Sequence, residues 1–185
     1  GTDVKAVFES VNEWIEGVDG RYEGRVEASG VTLIRGEGRF VGEKTIEAGG
    51  RTLTAEKIVV ATGSYPTPPP FADLPVWTSD NLFPMKDEPP KSIIVIGSGF
   101  IGTEMSAFFS GIGVETKLFA RGDKLLGRAD ADIEETFSRE FRKEVETHLR
   151  ASLTDLKYDG SHFYATFEVN GESEVHTAER VLFAI

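Results

Sequence analysis

Residues 93–102 read Ile-Ile-Val-Ile-Gly-Ser-Gly-Phe-Ile-Gly, and no other stretch restricts the fold of this chain as much. An apolar strand pattern runs into a G-x-G-x-x-G turn, and a helical pattern follows to about Gly111. In such a turn the first glycine, Gly97, permits the sharp change of direction. The second, Gly99, lets backbone approach a pyrophosphate, and the third, Gly102, lets helix pack closely on strand. The free N–H groups and partial positive charge at the helix start then face the phosphates. A further strand over 115–120 completes the strand–helix–strand order of a dinucleotide-binding unit. The plainer alternative is a glycine-rich turn that holds no ligand.

Periodicity and turn residues predict the other elements. Val4, Val7, Val11, Trp14 and Val18 share one face of a helix over 4–18, closed by Asp19-Gly20. Short strands are expected at 31–34, from Phe40-Val41, and at 44–48 and 52–55 around Gly49-Gly50. Ile58, Val59 and Val60 make an unbroken apolar run within 57–61, read as a strand buried on both faces and ending in Ala61-Thr62-Gly63. From Pro66 to Pro90 the chain is proline-rich, which disfavours helix and central strand, so an extended connector is expected with a boundary near 88. Asp130 or Asp132 would cap a helix running to Val145, with an apolar stripe of Ile133, Phe137, Phe141 and Val145. Asp159-Gly160 and Asn170-Gly171 are hairpin turns. Between them Phe163, Ala165, Phe167 and Val169 alternate with polar residues, the period of a half-buried strand. A last apolar strand over 181–185 ends the chain. The expected class is α/β. A Rossmann-like parallel sheet with an antiparallel β-meander occupies 89–185, joined to a helix and β-meander in 1–88.

Composition narrows the function classes. The 185 residues carry a net charge of −11 and no basic face, which argues against nucleic-acid binding. No apolar run approaches the ~20 residues that span a bilayer, and the start has no signal-peptide pattern. No membrane partner is expected, and the location is read as cytoplasmic. The absence of cysteine rules out disulfides, zinc–thiolate sites and a cysteine nucleophile within these residues. His148, His162 and His176 show no zinc-ligand spacing in sequence, so they are read as surface or sheet residues and no metal site is expected. An opening of Gly1-Thr2-Asp3 without methionine, and an end inside a strand, are expected of part of a longer chain.

The second strand of the unit bears on the coenzyme. An NAD site has an acidic residue about 20 positions after the turn, bonded to the ribose 2′-hydroxyl. Ala120 stands there and Arg121 follows, with Arg128 seven residues on. Planar guanidinium groups pair with phosphate oxygens, so NADP(H) is favoured over NAD(H). The alternatives are that both arginines are solvated, or that Glu115, at the start of the strand, is the acid.

Four stretches together resemble the pyridine nucleotide–disulfide oxidoreductases of the glutathione reductase and dihydrolipoamide dehydrogenase class. They are Arg35-Gly36-Glu37-Gly38-Arg39-Phe40, Thr54 with the apolar run into Ala61-Thr62-Gly63, the fingerprint from Ile94 to Glu104, and the strand from Glu179 to Ile185. The resemblance covers nearly the whole chain. It implies an FAD-dependent enzyme in which NAD(P)H passes hydride to flavin, flavin reduces a cysteine pair, and the pair reduces substrate. Residues 1–88 would be a partial FAD-binding domain with linker, and 89–185 the NAD(P)H-binding domain. The first flavin-binding turn, the redox cysteines and an interface domain with its catalytic histidine would belong to the rest of the flavoprotein chain, a homodimer when complete. No catalytic residue is expected in these 185 residues. The piece alone would be inactive and would not retain FAD.

The resemblance also implies roles position by position. Gly97, Ser98, Gly99 and Ile101 would line the dinucleotide. Phe100 would gate the nicotinamide pocket, where many members have tyrosine, and Glu104 would meet the nicotinamide carboxamide. Arg121 matches the first phosphate-binding arginine of NADPH-using members. The second usually follows six residues later, where this chain has Gly127, with Arg128 displaced by one. Gly102 is more typical of NAD-using members. Ala184 and Ile185 would approach the cofactor from the last strand. Gly38, Thr62, Gly63 and Ser79 match positions near FAD. The rival readings are a stand-alone NAD(P)H-binding module or sensor without catalysis, and a cysteine-independent relative such as an NADH oxidase or ferredoxin reductase.

Overall fold

The computed structural model describes residues 3–65, 67–85 and 88–185. Pro66, Lys86 and Asp87 of the proline-rich stretch lie outside them. The chain divides into two compact units, one of Gly1–Asn12 with Tyr65–Ile185 and one of Glu13–Ser64. A helix α1, Val4–Glu16, opens the described chain, and a second, α2, Val18–Ala28, follows. Asp19-Gly20 was expected to punctuate the chain, yet it lies inside α2. Glycine there costs about 1 kcal/mol relative to alanine but does not forbid helix. The inward face of α1 is Val4, Phe8 and Val11, while Trp14 is exposed.

The smaller unit holds an antiparallel meander of β1, Arg39–Gly42, β2, Thr45–Ala48, and β3, Arg51–Thr54. Gly49 and Gly50, both at positive φ, turn β2 into β3 as their pairing predicts. Two expected strands are absent. Residues 31–34 form no ladder, with Val31 and Leu33 exposed. Residues 57–61 also form none, and Val59 is 88% exposed rather than buried on both faces. A strand needs a neighbour for its backbone groups, and among the described residues none pairs with either segment.

The larger unit is built on a five-stranded parallel sheet of spatial order β4-β11-β5-β6-β7. Its strands are β4, Trp77–Thr78, β5, Ser92–Ile96, β6, Glu115–Ala120, β7, Glu146–Leu149, and β11, Arg180–Phe183. Between β5 and β6 runs α3, Phe100–Gly111, and between β6 and β7 runs α4, Ala131–Phe141. Three longer antiparallel strands, β8, Ala151–Tyr158, β9, Phe163–Val169, and β10, Glu172–Ala178, link β7 back to β11.

Two expectations give way here. The proline-rich connector contributes β4, whose two residues pair with Leu182 and Phe183 of β11. As an edge strand it tolerates flanking prolines that an inner strand would not. The helix expected to reach Val145 ends at Phe141, and 146–149 pair parallel with β6 instead. The misleading signal is Val145. It packs with Phe141, Leu118 and Leu125, as a continuing stripe would, but does so from a turn.

Alternation along the inner strands separates two cores. Ile93 and Val95 of β5 and Leu182 of β11 face α3 and α1, meeting Phe109, Phe8, Leu82 and Met85. Ile94, Phe119, Val181 and Phe183 face the β8–β10 meander, meeting Leu156, Phe163, Ala165 and Phe167. The meander alternates as its sequence predicts: Phe163, Ala165 and Phe167 are fully buried, and Asn170 and Gly171 turn β9 into β10 at positive φ.

This burial pattern sets an expected stability contrast. Phe163→Ala should lower unfolding free energy in urea titration by about 3–5 kcal/mol. Val175→Ala, on the exposed face of β10, should stay within about 0.5 kcal/mol.

Candidate functional site: a cleft at the carboxyl ends of the parallel strands

The strand order reverses at β5. The chain leaves it toward β6 and β7 on one side, and β11 and β4 lie on the other. Open α/β sheets bind ligands at such a point, outside the carboxyl ends of the strands. A cleft of about 650 Å³ lies there. Its lining comes from three chain segments: the Gly97–Ser98–Gly99–Phe100 turn, the loop carrying Arg121, Gly122, Leu126, Gly127 and Arg128, and the Phe183–Ala184–Ile185 end of β11. Pro70, Ile96, Ala120, Ala151 and Leu153 complete it.

The glycines act at separate points. Gly97 sits at φ +132°, and a Cβ there would lie 2.2 Å from the Ala184 carbonyl oxygen. A Cβ on Gly102 would lie 2.1 Å from the carbonyl oxygen of Gly97. Both positions therefore require glycine, because the obstructing atoms are backbone. Gly99 differs: a Cβ there would meet nothing within 4 Å. It is the N-cap of α3, in extended conformation, and makes no side-chain cap bond. The start of α3 thus opens on the cleft with its N–H groups free of a protein side-chain cap, the arrangement that favours an anion. Thr103 turns its hydroxyl inward, donating toward the carbonyls of Gly99 and Phe100.

Backbone bonds hold the three segments in register. The Gly97 N–H donates to the Phe119 carbonyl at 2.9 Å, and Ala184 N–H to Ile96 at 2.8 Å. Leu126 N–H donates to the Ser98 carbonyl at 2.8 Å. Leu126 holds a positive φ of 49°, so the loop after β6 folds back over the glycine turn. Arg121 and Arg128 are both exposed at the rim, and among the described residues neither makes an ion pair within 4.0 Å. Two unengaged guanidinium groups therefore border a cleft whose walls are Ile96, Ala151, Leu153 and Phe183.

Of the residues singled out from sequence, the cleft gathers Gly97, Ser98, Gly99, Phe100, Arg121, Arg128, Ala184 and Ile185. Gly102 is buried behind the turn. Ile101 and Glu104 are exposed on α3 and do not line the cleft. Ile101 comes one residue after Phe100, which on a helix of 3.6 residues per turn rotates it about 100° away. Ser79 follows β4 in the same unit, and Gly38, Thr62 and Gly63 belong to the smaller unit. Sequence reasoning missed Leu126, Gly127, Ala151 and Leu153. The two glycines at 122 and 127 were the available signal for a loop that closes over the turn. Ala151 and Leu153 belong to β8 and reach the cleft only through the packing of the meander.

Gly102→Ala should lower stability by about 1–3 kcal/mol, read as a shift in urea midpoint. Gly99→Ala, at an open position, should leave the midpoint nearly unchanged.

The family model for pyridine nucleotide-disulphide oxidoreductases matches residues 2–185. A mercuric reductase of Bacillus cereus is 32% identical over 168 residues, 89% of this chain and 26% of that protein. A glutathione reductase of Nostoc sp. is 40% identical over 109 residues, 58% of this chain and 24% of that protein. A dihydrolipoyl dehydrogenase of Thermus scotoductus is 29% identical over 188 residues, 96% of this chain and 41% of that protein. The chain thus spans between a quarter and about two fifths of the length of these relatives. With a match over nearly its whole length, the chain belongs to the pyridine nucleotide–disulphide oxidoreductase family.

Proposed function

We propose that this chain is the NAD(P)H-binding part, with an adjoining portion of the flavin-binding domain, of an FAD-dependent disulfide oxidoreductase. The observation that carries the reading is the cleft at the strand ends, where an uncapped helix start and an open Gly99 face two unpaired arginines. The pyrophosphate of a dinucleotide would rest on the N–H groups that open α3. Phe183, Ala184 and Ile185 would border the nicotinamide end, and Phe100, exposed beside the turn, would shield it from water.

The chemistry when the coenzyme is bound is hydride donation from the dihydronicotinamide to flavin, and it belongs to the cofactors. The residues of this chain bind and orient the donor. The disulfide chemistry would be supplied by residues outside this sequence, since these 185 residues contain no cysteine. Residues 1–88 would serve FAD, through Gly38, Thr62, Gly63 and Ser79, and 89–185 would serve the nicotinamide nucleotide. Glu104 would meet the carboxamide only in an arrangement reached with the rest of the enzyme, because it stands outside the cleft here. The complete protein would be a homodimer that works in the cytoplasm.

The coenzyme we favour is NADP(H). Ala120 offers no acceptor to a ribose hydroxyl, whereas Arg121 and Arg128 both line the cleft and suit a 2′-phosphate. The Gly102 position is more typical of NAD-using members; in this chain the Gly97 carbonyl occupies the space of a Cβ there, so the local backbone itself calls for glycine.

Calorimetric or fluorescence titration with NADPH and NADH tests the reading. NADPH should bind more tightly, and Arg121→Ala should weaken NADPH by about tenfold or more, as for loss of a charged hydrogen bond, while leaving NADH within a few-fold. Tighter binding of NADH would overturn the coenzyme preference. Failure of both nucleotides to bind would overturn the site.

A further inference from the structure

Away from the nucleotide cleft, the structure brings together two histidines that are distant in sequence. His148 lies in β7 of the parallel sheet and His176 in β10 of the meander. Their ring centroids are 5.2 Å apart. Each ends a Glu-x-His triplet, and on a strand residues i and i+2 share a face. Glu146 therefore accompanies His148, and Glu174 accompanies His176. The His148 Nε2 lies 2.7 Å from Glu146 Oε1, and the His176 Nε2 lies 3.2 Å from Glu174 Oε2. One ligand atom each from His148, Glu174 and His176 fall within 4.8 Å of one another.

The imidazoles are held by packing. Phe119, fully buried, stacks on His148 at 4.4 Å with planes 5° apart, and presents its edge to His176 at 4.8 Å. Phe167 lies beneath, stacked on Phe119 at 3.9 Å. Both side chains are largely shielded, at 26% and 16% exposure, while Glu174 reaches solvent. Ligands fixed on strands and backed by a rigid aromatic layer are pre-organised for a metal. The ordinary alternative is a pair of His–Glu hydrogen bonds.

We propose that His148, His176 and Glu174 form a binding site for a zinc-class divalent transition metal, which ties β7 to β10. Two neutral imidazoles and one carboxylate form a donor set for zinc, copper or nickel, whereas calcium and magnesium take oxygen ligands. A fourth position would fall to water from the exposed side of Glu174. Glu146 serves as the orienting acceptor for His148 rather than as a ligand. It also neighbours Lys117, whose Nζ lies 3.9 Å from its other oxygen, and an ammonium so close competes with a cation for the carboxylate. Binding would draw the ligand atoms to about 2.0–2.2 Å from the ion.

The test is a titration of the purified protein with Zn²⁺, and with Co²⁺ as a spectroscopic substitute. Expected are saturation at one ion per chain, the visible absorption of four-coordinate cobalt, and a rise in Tm with zinc. His176→Ala and His148→Ala should each weaken binding at least ~10-fold. Because those substitutions also disturb the packing on Phe119, Glu174→Gln is the folding-neutral variant, and it should weaken binding with an unchanged metal-free Tm. His162→Ala, outside the cluster, should bind as the parent does. Absence of saturable binding would overturn the proposal. So would binding that survives loss of both histidines, or Glu174→Gln and His162→Ala behaving alike.

Discussion

The tight approach of three backbone segments around Gly97 governs the larger unit. The carbonyl of Gly97 projects into the space a side chain at position 102 would fill, and the carbonyl of Ala184 into the space of one at 97. With hydrogen there instead of methyl, α3 begins directly against the end of β5, and β11 closes in from the other side. The consequence is electrostatic as much as steric. The positive end of α3 opens at the carboxyl edge of the sheet, close to Arg121 and Arg128, within a chain of net charge −11. A locally positive mouth on an acidic protein is a means of selecting an anionic ligand by position.

The second face of the sheet is a packing device of a different kind. Phe119 of β6 lies between Phe167 of the meander and the imidazole of His148, so the two sheets meet through aromatic faces. The same strand serves both regions: Ala120 reaches the cleft, and its neighbour Phe119 points to the opposite side, where the histidines gather. Phe119 shares its apolar core with Ile96, Ala151, Leu153 and Phe183, which also line the cleft, so one packed layer backs both the cleft and the histidines.

The smaller unit, Glu13–Ser64, has another character. Its meander is short, α2 buries no side chain, and Val31, Phe40, Val59 and Val60 are exposed. Its strand pairing is the β1–β2–β3 meander, and among the described residues none of its apolar side chains is buried. Val31, Val59 and Val60 stand in segments with no ladder partner among the described residues, whereas Phe40 pairs with Ile46 in β1–β2. Family membership, established over residues 2–185, gives the unit its context more than its own packing does.

Local chemistry was legible from the residues alone. The strand–glycine turn–helix at 92–111, the hairpins at Gly49-Gly50 and Asn170-Gly171, and the buried alternation of β9 all depend on neighbours within a few positions, so side-chain period and positive-φ residues determine them. Eight of the residues picked from the motif and its family pattern, from Gly97 to Ile185, border one cleft for the same reason: a turn and two strand ends converge once β5 is central. Only the tertiary structure decided that 77–78 and 146–149 are strands and 57–61 is not, because a ladder requires a partner that sequence periodicity does not name. It also decided that Leu126 covers the turn, that Leu153 enters the cleft, and that His148 meets His176. Those neighbours are set by how sheets pack on one another, a non-local balance of apolar burial that no single stretch of sequence carries.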